Sequence, residues 1–134
     1  MRILLDTHIA LWACFESSKL PKDARDLLSQ RSNAVYFSIA SVWEVAIKHA
    51  LNRGNLPVPE ERFVEACGLT GFLELPIVDE HVFAVKTLSR PQDALRHNDP
   101  FDRLLIAQAK VEGLQLLTHD ALLVGYGEPV VTLC

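Results

Sequence analysis

Apolar residues recur along this chain in two rhythms. Short runs at Arg2–Leu5, 35–37, 72–75, 114–117 and 130–133 have the length and bulk of strands buried on both faces. Between them the apolar positions fall at helical spacing. A first helix covers 9–15 behind a cap at Asp6 or Thr7, and a second covers 21–30 with Ala24, Leu27 and Leu28 facing inward. Ser38 caps a third, whose stripe of Ile39, Val42, Trp43, Ala46, Ile47 and Ala50 runs to a stop near 52–54. The stretch 56–59, with two prolines, reads as extended. Further helices are predicted over 60–67, stopped by Gly68, and over 79–88, followed by a polar loop at 89–98. The best-marked helix spans 100–112, opened by Asp99-Pro100 and closed by Gly113.

Strand and helix alternate from end to end, which predicts an α/β fold: a central parallel sheet flanked by helices on both faces. The length of 134 residues fits one domain, 1–134. Apolar residues at 49% and charged residues at 22% exclude a disordered, collagen-like or coiled-coil chain. No apolar run approaches the roughly 18 residues a membrane span needs. Met1-Arg2 leads into only three apolar residues before Asp6, so no secretory signal is expected. The three cysteines, Cys14, Cys67 and Cys134, are odd in number and lack metal-ligand spacing, which suits free thiols in a reducing cytoplasm.

The net charge of −4 argues on its own against a nucleic-acid binder. Five acids change that picture. Asp6 and Asp120 directly follow apolar strands, and ligands of open parallel sheets bind at that carboxyl edge. Asp99 and Asp102 open the helix at 100–112, and Glu44 sits near the start of the Ser38 helix, so all five are expected to face one edge. Setting the five aside leaves a net charge of +1. Gathered carboxylates raise one another's pKa unless a cation neutralises them, and hard divalent ions such as Mg²⁺ or Mn²⁺ take all-oxygen ligands. Such ions also suit phosphodiester hydrolysis, one activating water and another steadying the leaving oxygen.

Each acid also has a plainer use. Asp6 can cap the following helix, Glu44 can pair with Lys48 across one turn, Asp99 is an N-cap by sequence, Asp102 can favour the helix dipole, and Asp120 can serve a turn. His8, His97 and His119 lie within two residues of these acids but lack the spacing of a zinc pair. Gly125-Tyr-Gly127 is an isolated turn, and neither a phosphate-cradling glycine loop nor a nucleophile elbow is present.

Four segments carry a resemblance: Leu4-Leu-Asp-Thr-His-Ile-Ala-Leu-Trp12, Ser41-Val-Trp-Glu-Val-Ala-Ile-Lys48, His97-Asn-Asp-Pro-Phe-Asp-Arg-Leu-Leu-Ile-Ala-Gln-Ala109 and Leu117-Thr-His-Asp120. Together, in this order, they resemble PIN-domain proteins, most of all the VapC-type toxins of bacterial type II toxin–antitoxin pairs. The resemblance implies a Mg²⁺- or Mn²⁺-dependent endoribonuclease whose acids are Asp6, Glu44, Asp102 and Asp120. Asp99 is an additional acid that either reaches the same metal or only caps its helix, and Thr118 resembles a hydroxyl that helps hold the fourth acid or a water. Arg103, Arg96 and Lys48 are candidates to steady phosphate oxygens. The resemblance also implies an RNA substrate, a small antitoxin partner and a homodimer, with Leu11, Trp12 and Phe15 as candidate contacts. Three other classes are weighed: a binding-only PIN module, an aspartyl-phosphate phosphatase and a receiver domain. The phosphatase wants a second aspartate where His8 stands, and the receiver wants an acid pair at the first strand where Asp6 stands alone.

Overall fold

The computed structural model describes residues 1–51, 58–90 and 98–134. Its first strand, β1 (Arg2–Leu5), buries Ile3 and Leu5 against one layer of helices and Leu4 against the other, as a strand in the middle of a parallel sheet must. Around it lie β2 (Ala34–Ser38), β3 (Leu73–Leu75), β4 (Gln115–Thr118) and β5 (Val131–Leu133). Among the described residues they form one five-stranded, wholly parallel sheet in the order β3-β2-β1-β4-β5. The α/β expectation is met.

The helices are α1 (Thr7–Phe15), α2 (Lys22–Ser29), α3 (Ile39–Ala50), α4 (Glu60–Thr70), α5 (Asp79–Ala84) and α6 (Pro100–Glu112). One core joins Ile9, Ala10 and Leu11 of α1, Ala24 of α2 and Phe63 and Cys67 of α4 to Ile3, Leu5, Val35 and Phe37. The other joins Leu105, Ile106 and Ala109 of α6 to Leu4, Leu116, Leu88 and Tyr126. At roughly 1.5–3 kcal/mol for each large side chain buried, these two layers hold the sheet rigid. The chain moves outward from β1 to β3 and then crosses back to β4. The β1/β4 boundary is therefore the switch point where such a sheet opens a crevice at its carboxyl edge.

Several local expectations are corrected. Gly68 does not stop α4, which continues to Thr70 and ends at Gly71, whose φ of 94° supplies the left-handed cap. The helix expected over 79–88 is α5 followed by a 3-10 turn, Val85–Thr87. A second unexpected 3-10 segment, Ala121–Tyr126, follows β4. Leu11 is buried in the core and is no surface contact, while Trp12 and Phe15 pack against that core only in part. Trp43, placed on the inner stripe of α3 by periodicity, is 58% exposed and rests its edge on Phe101, ring centroids 5.4 Å apart. The inner face of α3 is Ala40, Ser41, Glu44 and Val45. The helix is rotated from its apolar stripe because Ser41 and Glu44 find polar partners on α1. The predicted end of the Ser38 helix at 52–54, the first half of the 56–59 stretch and most of the loop at 89–98 lie outside the described residues.

The cysteines are free thiols, with Cys14 Sγ 3.9 Å from Cys67 Sγ. Among the described residues no helix is long and apolar enough to cross a membrane. Gly113 caps α6 at φ 68°, donating its N–H to Ala109 O. Gly113→Ala is therefore expected to cost about 1 kcal/mol, read as a lower urea midpoint at unchanged slope.

Candidate functional site

Asp6 stands where β1 ends. Its N–H donates to Leu117 O at 3.0 Å, extending the β1–β4 ladder by one rung and fixing the residue at the switch point. It is the N-cap residue of α1, yet its side chain makes no capping bond. Instead Oδ2 accepts a 2.6 Å hydrogen bond from the Thr118 hydroxyl at the end of β4. The carboxyl is only 4% exposed. Burial raises its pKa; Thr118 and His8 pull it down, and Glu44 pushes it up again.

Glu44 is equally buried, on the face of α3 turned toward α1. Its Oε1 accepts from the Thr7 hydroxyl at 2.6 Å, and Thr7 Oγ1 also meets Ser41 Oγ at 2.8 Å. Oε2 takes the Lys48 ammonium at 2.5 Å. The Glu44–Lys48 pair exists as the spacing allows, but it joins a buried acid to a half-buried base rather than two surface charges. Partial burial works against the Lys48 charge; the hydrogen bond and charge of Glu44, backed by Asp99 and Asp102, outweigh it and raise the Lys48 pKa.

Asp99 performs the capping its sequence predicts, its Oδ1 accepting from the N–H groups of Phe101 and Asp102 at 2.9 and 3.1 Å. Asp102 follows in the first turn of α6. Its carboxyl pKa is pushed up to about 8, by burial first and then by the charges of Asp6, Asp99, Glu44 and Asp120. Asp102 is thus placed where the other four sequence-predicted acids are felt together. Asp120 also caps: its Oδ1 accepts from Leu122 N at 2.9 Å, while its own N–H donates to Thr118 Oγ1 at 3.0 Å. Thr118 is fully buried and ties Asp6 to the Asp120 backbone through one hydroxyl. Thr118→Val leaves a buried carboxylate one donor short and is expected to cost about 1–3 kcal/mol by denaturant unfolding at neutral pH.

The basic candidates are placed differently. Lys48 is committed to Glu44. Arg103 packs over the Tyr126 ring at 5.7 Å and reaches Val85 O, toward the outer side of α6. Arg96 and His97 lie outside the described residues. His8 and His119 are exposed and flank Trp12, and the three rings with Asp6 and Asp120 line a notch of about 160 Å³. Local pattern missed Thr7 and Ser41, which orient Glu44. The one available signal was Ser41 lying three residues before Glu44 on the same helix face.

The donor set is all oxygen, and its five acids outnumber the nearby Lys48 and His8, which suits a hard divalent cation. Among the described residues no group of three acidic, imidazole or thiol side chains is already drawn in tightly enough to hold a metal.

A doubly wound parallel sheet with a carboxylate cluster at its switch point defines a class of acidic-site α/β domains. The PIN domain model matches residues 3–126. The chain belongs to the PIN domain family. Its fold is similar to VapBC2 from Rickettsia felis, solved bound to a DNA fragment from the promoter, at 16% identity and TM-score 0.66, covering 99% of this chain and 97% of that one. A toxin–antitoxin complex from Klebsiella pneumoniae matches at 20% identity and TM-score 0.57, covering 97% and 95%. VapBC-1 from nontypeable Haemophilus influenzae matches at 19% identity and TM-score 0.60, covering 94% and 92%. No curated protein matches the chain.

Proposed function

We propose that this PIN domain is a Mg²⁺- or Mn²⁺-dependent endoribonuclease, the toxin of a toxin–antitoxin pair. The observation that carries the reading is Asp102, whose carboxyl is driven up to about 8 by burial and four neighbouring carboxylates at a sheet switch point. A site that gathers five acids around the ammonium of Lys48 is suited to receive a further cation. Asp6 and Asp102 would hold the principal ion. Glu44, Asp120 and Asp99 would hold a second ion or orient water. The ion would supply Lewis-acid polarisation of the phosphate and a more acidic bound water.

The chain's own residues supply the rest. Thr118 holds the Asp6 carboxyl in one rotamer, so its outward oxygen keeps a fixed aim. Thr7 and Lys48 each take one oxygen of Glu44, setting its plane and limiting its charge to what the site needs. The Asp99 cap fixes the first turn of α6 and with it the direction of Asp102. Water delivered along this edge attacks the phosphodiester in line with the departing 3′ oxygen, which leaves carrying a proton from solvent.

The antitoxin partner and homodimer are part of the same proposal. Support comes from the toxin–antitoxin complexes whose fold this chain shares, and from an apolar groove of about 620 Å³ lined by Trp43, Val82, Val85, Pro100, Phe101 and Leu104. The test is incubation of the purified chain with end-labelled RNA in Mg²⁺, Mn²⁺ or EDTA, beside Asp6→Asn. Cutting that needs the ion and disappears in the variant supports the reading. A folded, antitoxin-free chain that binds RNA but cuts none with either metal would turn it to the binding-only alternative.

A further inference from the structure

We propose that the notch beside Asp6 and Asp120 is a subsite for a single unpaired nucleobase, with Trp12 as its stacking surface and His8 and His119 as its sides. This inference rests on the ribonuclease reading and adds to it how the strand is seated. The notch has room for about five waters at their liquid volume, the size of one flat heterocycle.

The three rings meet tilted or edge to face. Trp12 and His119 have centroids 5.7 Å apart at 68°, and His8 and Trp12 have centroids 6.2 Å apart at 55°. Neither imidazole is stacked parallel on the indole, and Trp12 itself lines the notch, so a base seated there meets the indole. Trp12 is anchored by its contact with the core, and His119 is held by donating Nδ1–H to the Cys134 carbonyl at 2.5 Å. An anchored indole loses little freedom when a base arrives, and stacking of this kind is tolerant of base identity.

The lining also says what the notch does not take. Among the described residues neither lysine nor arginine borders it, so the notch itself offers no side-chain cation to a phosphate. The imidazoles carry N–H donors suited to the acceptor-rich edge of a base. Asp6 and Asp120, two of the site's acids, border the notch. The base seated there belongs to a nucleotide next to the bond that is cut, and a duplex, whose bases are stacked and paired, cannot offer one.

The test uses the intrinsic fluorescence of Trp12. The chain has two tryptophans, and Trp43→Phe leaves Trp12 as the only indole. The single-tryptophan protein is mixed with a hexa-adenylate strand, with the same sugar–phosphate chain lacking bases, and with arginine amide, in Mg²⁺. Emission is read in the first second, before cleavage contributes. The proposal predicts quenching by the base-bearing strand alone. It also predicts binding about tenfold weaker in Trp12→Leu, and within about threefold of wild type in Trp12→Phe, with both variants checked by thermal melting. Equal binding of the two strands, or quenching by arginine amide alone, would overturn it. Quenching without cleavage keeps the base site and removes the nuclease reading. Cleavage without quenching, undiminished in Trp12→Leu, does the reverse.

Discussion

Asp102→Asn is expected to lower RNA cleavage by about 10²–10³-fold, the scale on which removing one preorganised electrostatic group acts. The same change is expected to make the metal-free protein more stable, not less. Both effects share one cause. Asp102 sits in the field of Asp6, Asp99, Glu44 and Asp120, so its negative charge is costly to the fold, and a bound divalent ion would turn that cost into binding energy. An amide keeps the side-chain shape and removes the charge. Loss of activity with a raised melting temperature in EDTA separates this account from damage to the fold, which would lower both.

The second large effect is the pH dependence of that stability difference. Asp102 holds its proton up to about 8 in the folded chain but releases it near 3.8 when unfolded. Its contribution is therefore fully present below about pH 4, falls as pH rises through that interval, and is level above pH 8. Asp102→Asn has no such titration. The gap between variant and wild type should be small near pH 4 and should widen toward pH 8. Because Asp102 is only partly buried, screening reduces the full shift to an advantage on the order of 1–3 kcal/mol for the variant. Melting curves in EDTA from pH 4 to 9 measure it; a gap that stays constant with pH would contradict the assigned coupling. Excess Mn²⁺ should reverse the order, stabilising wild type and leaving the variant nearly unmoved.

The fold was legible in the sequence because its signals are local. Each buried strand is a short apolar run, and Asp99-Pro100 and Gly113 mark both ends of α6 in adjacent residues. The acids at strand exits were legible for the same reason, since Asp6 and Asp120 follow their strands directly. The α3 interior was not. Periodicity selects Trp43 and Ile47, whereas the structure turns Ser41 and Glu44 inward because Thr7, more than thirty residues away, hydrogen-bonds both. A buried polar network is decided by partners distant along the chain, which no local window contains. Gly68 misled in another way. A glycine costs a helix about 1 kcal/mol but does not end it, and Gly71 offers the left-handed turn that does. For Asp99 the sequence left two uses open, a cap and a site acid. The structure shows the capping bonds and places its charge within the field of Asp102.

The central claim is that these carboxylates are a divalent-cation site completed by Asp102. Calorimetric titration of Mn²⁺ into the protein at pH 7, in two buffers of different ionisation enthalpy, tests it most directly. Because the Asp102 pKa is raised to about 8, binding at pH 7 should release protons, and Asp102→Asn should lose most of that release and most of the affinity. Mn²⁺ that binds without releasing a proton, or equally well to the variant, would contradict the account.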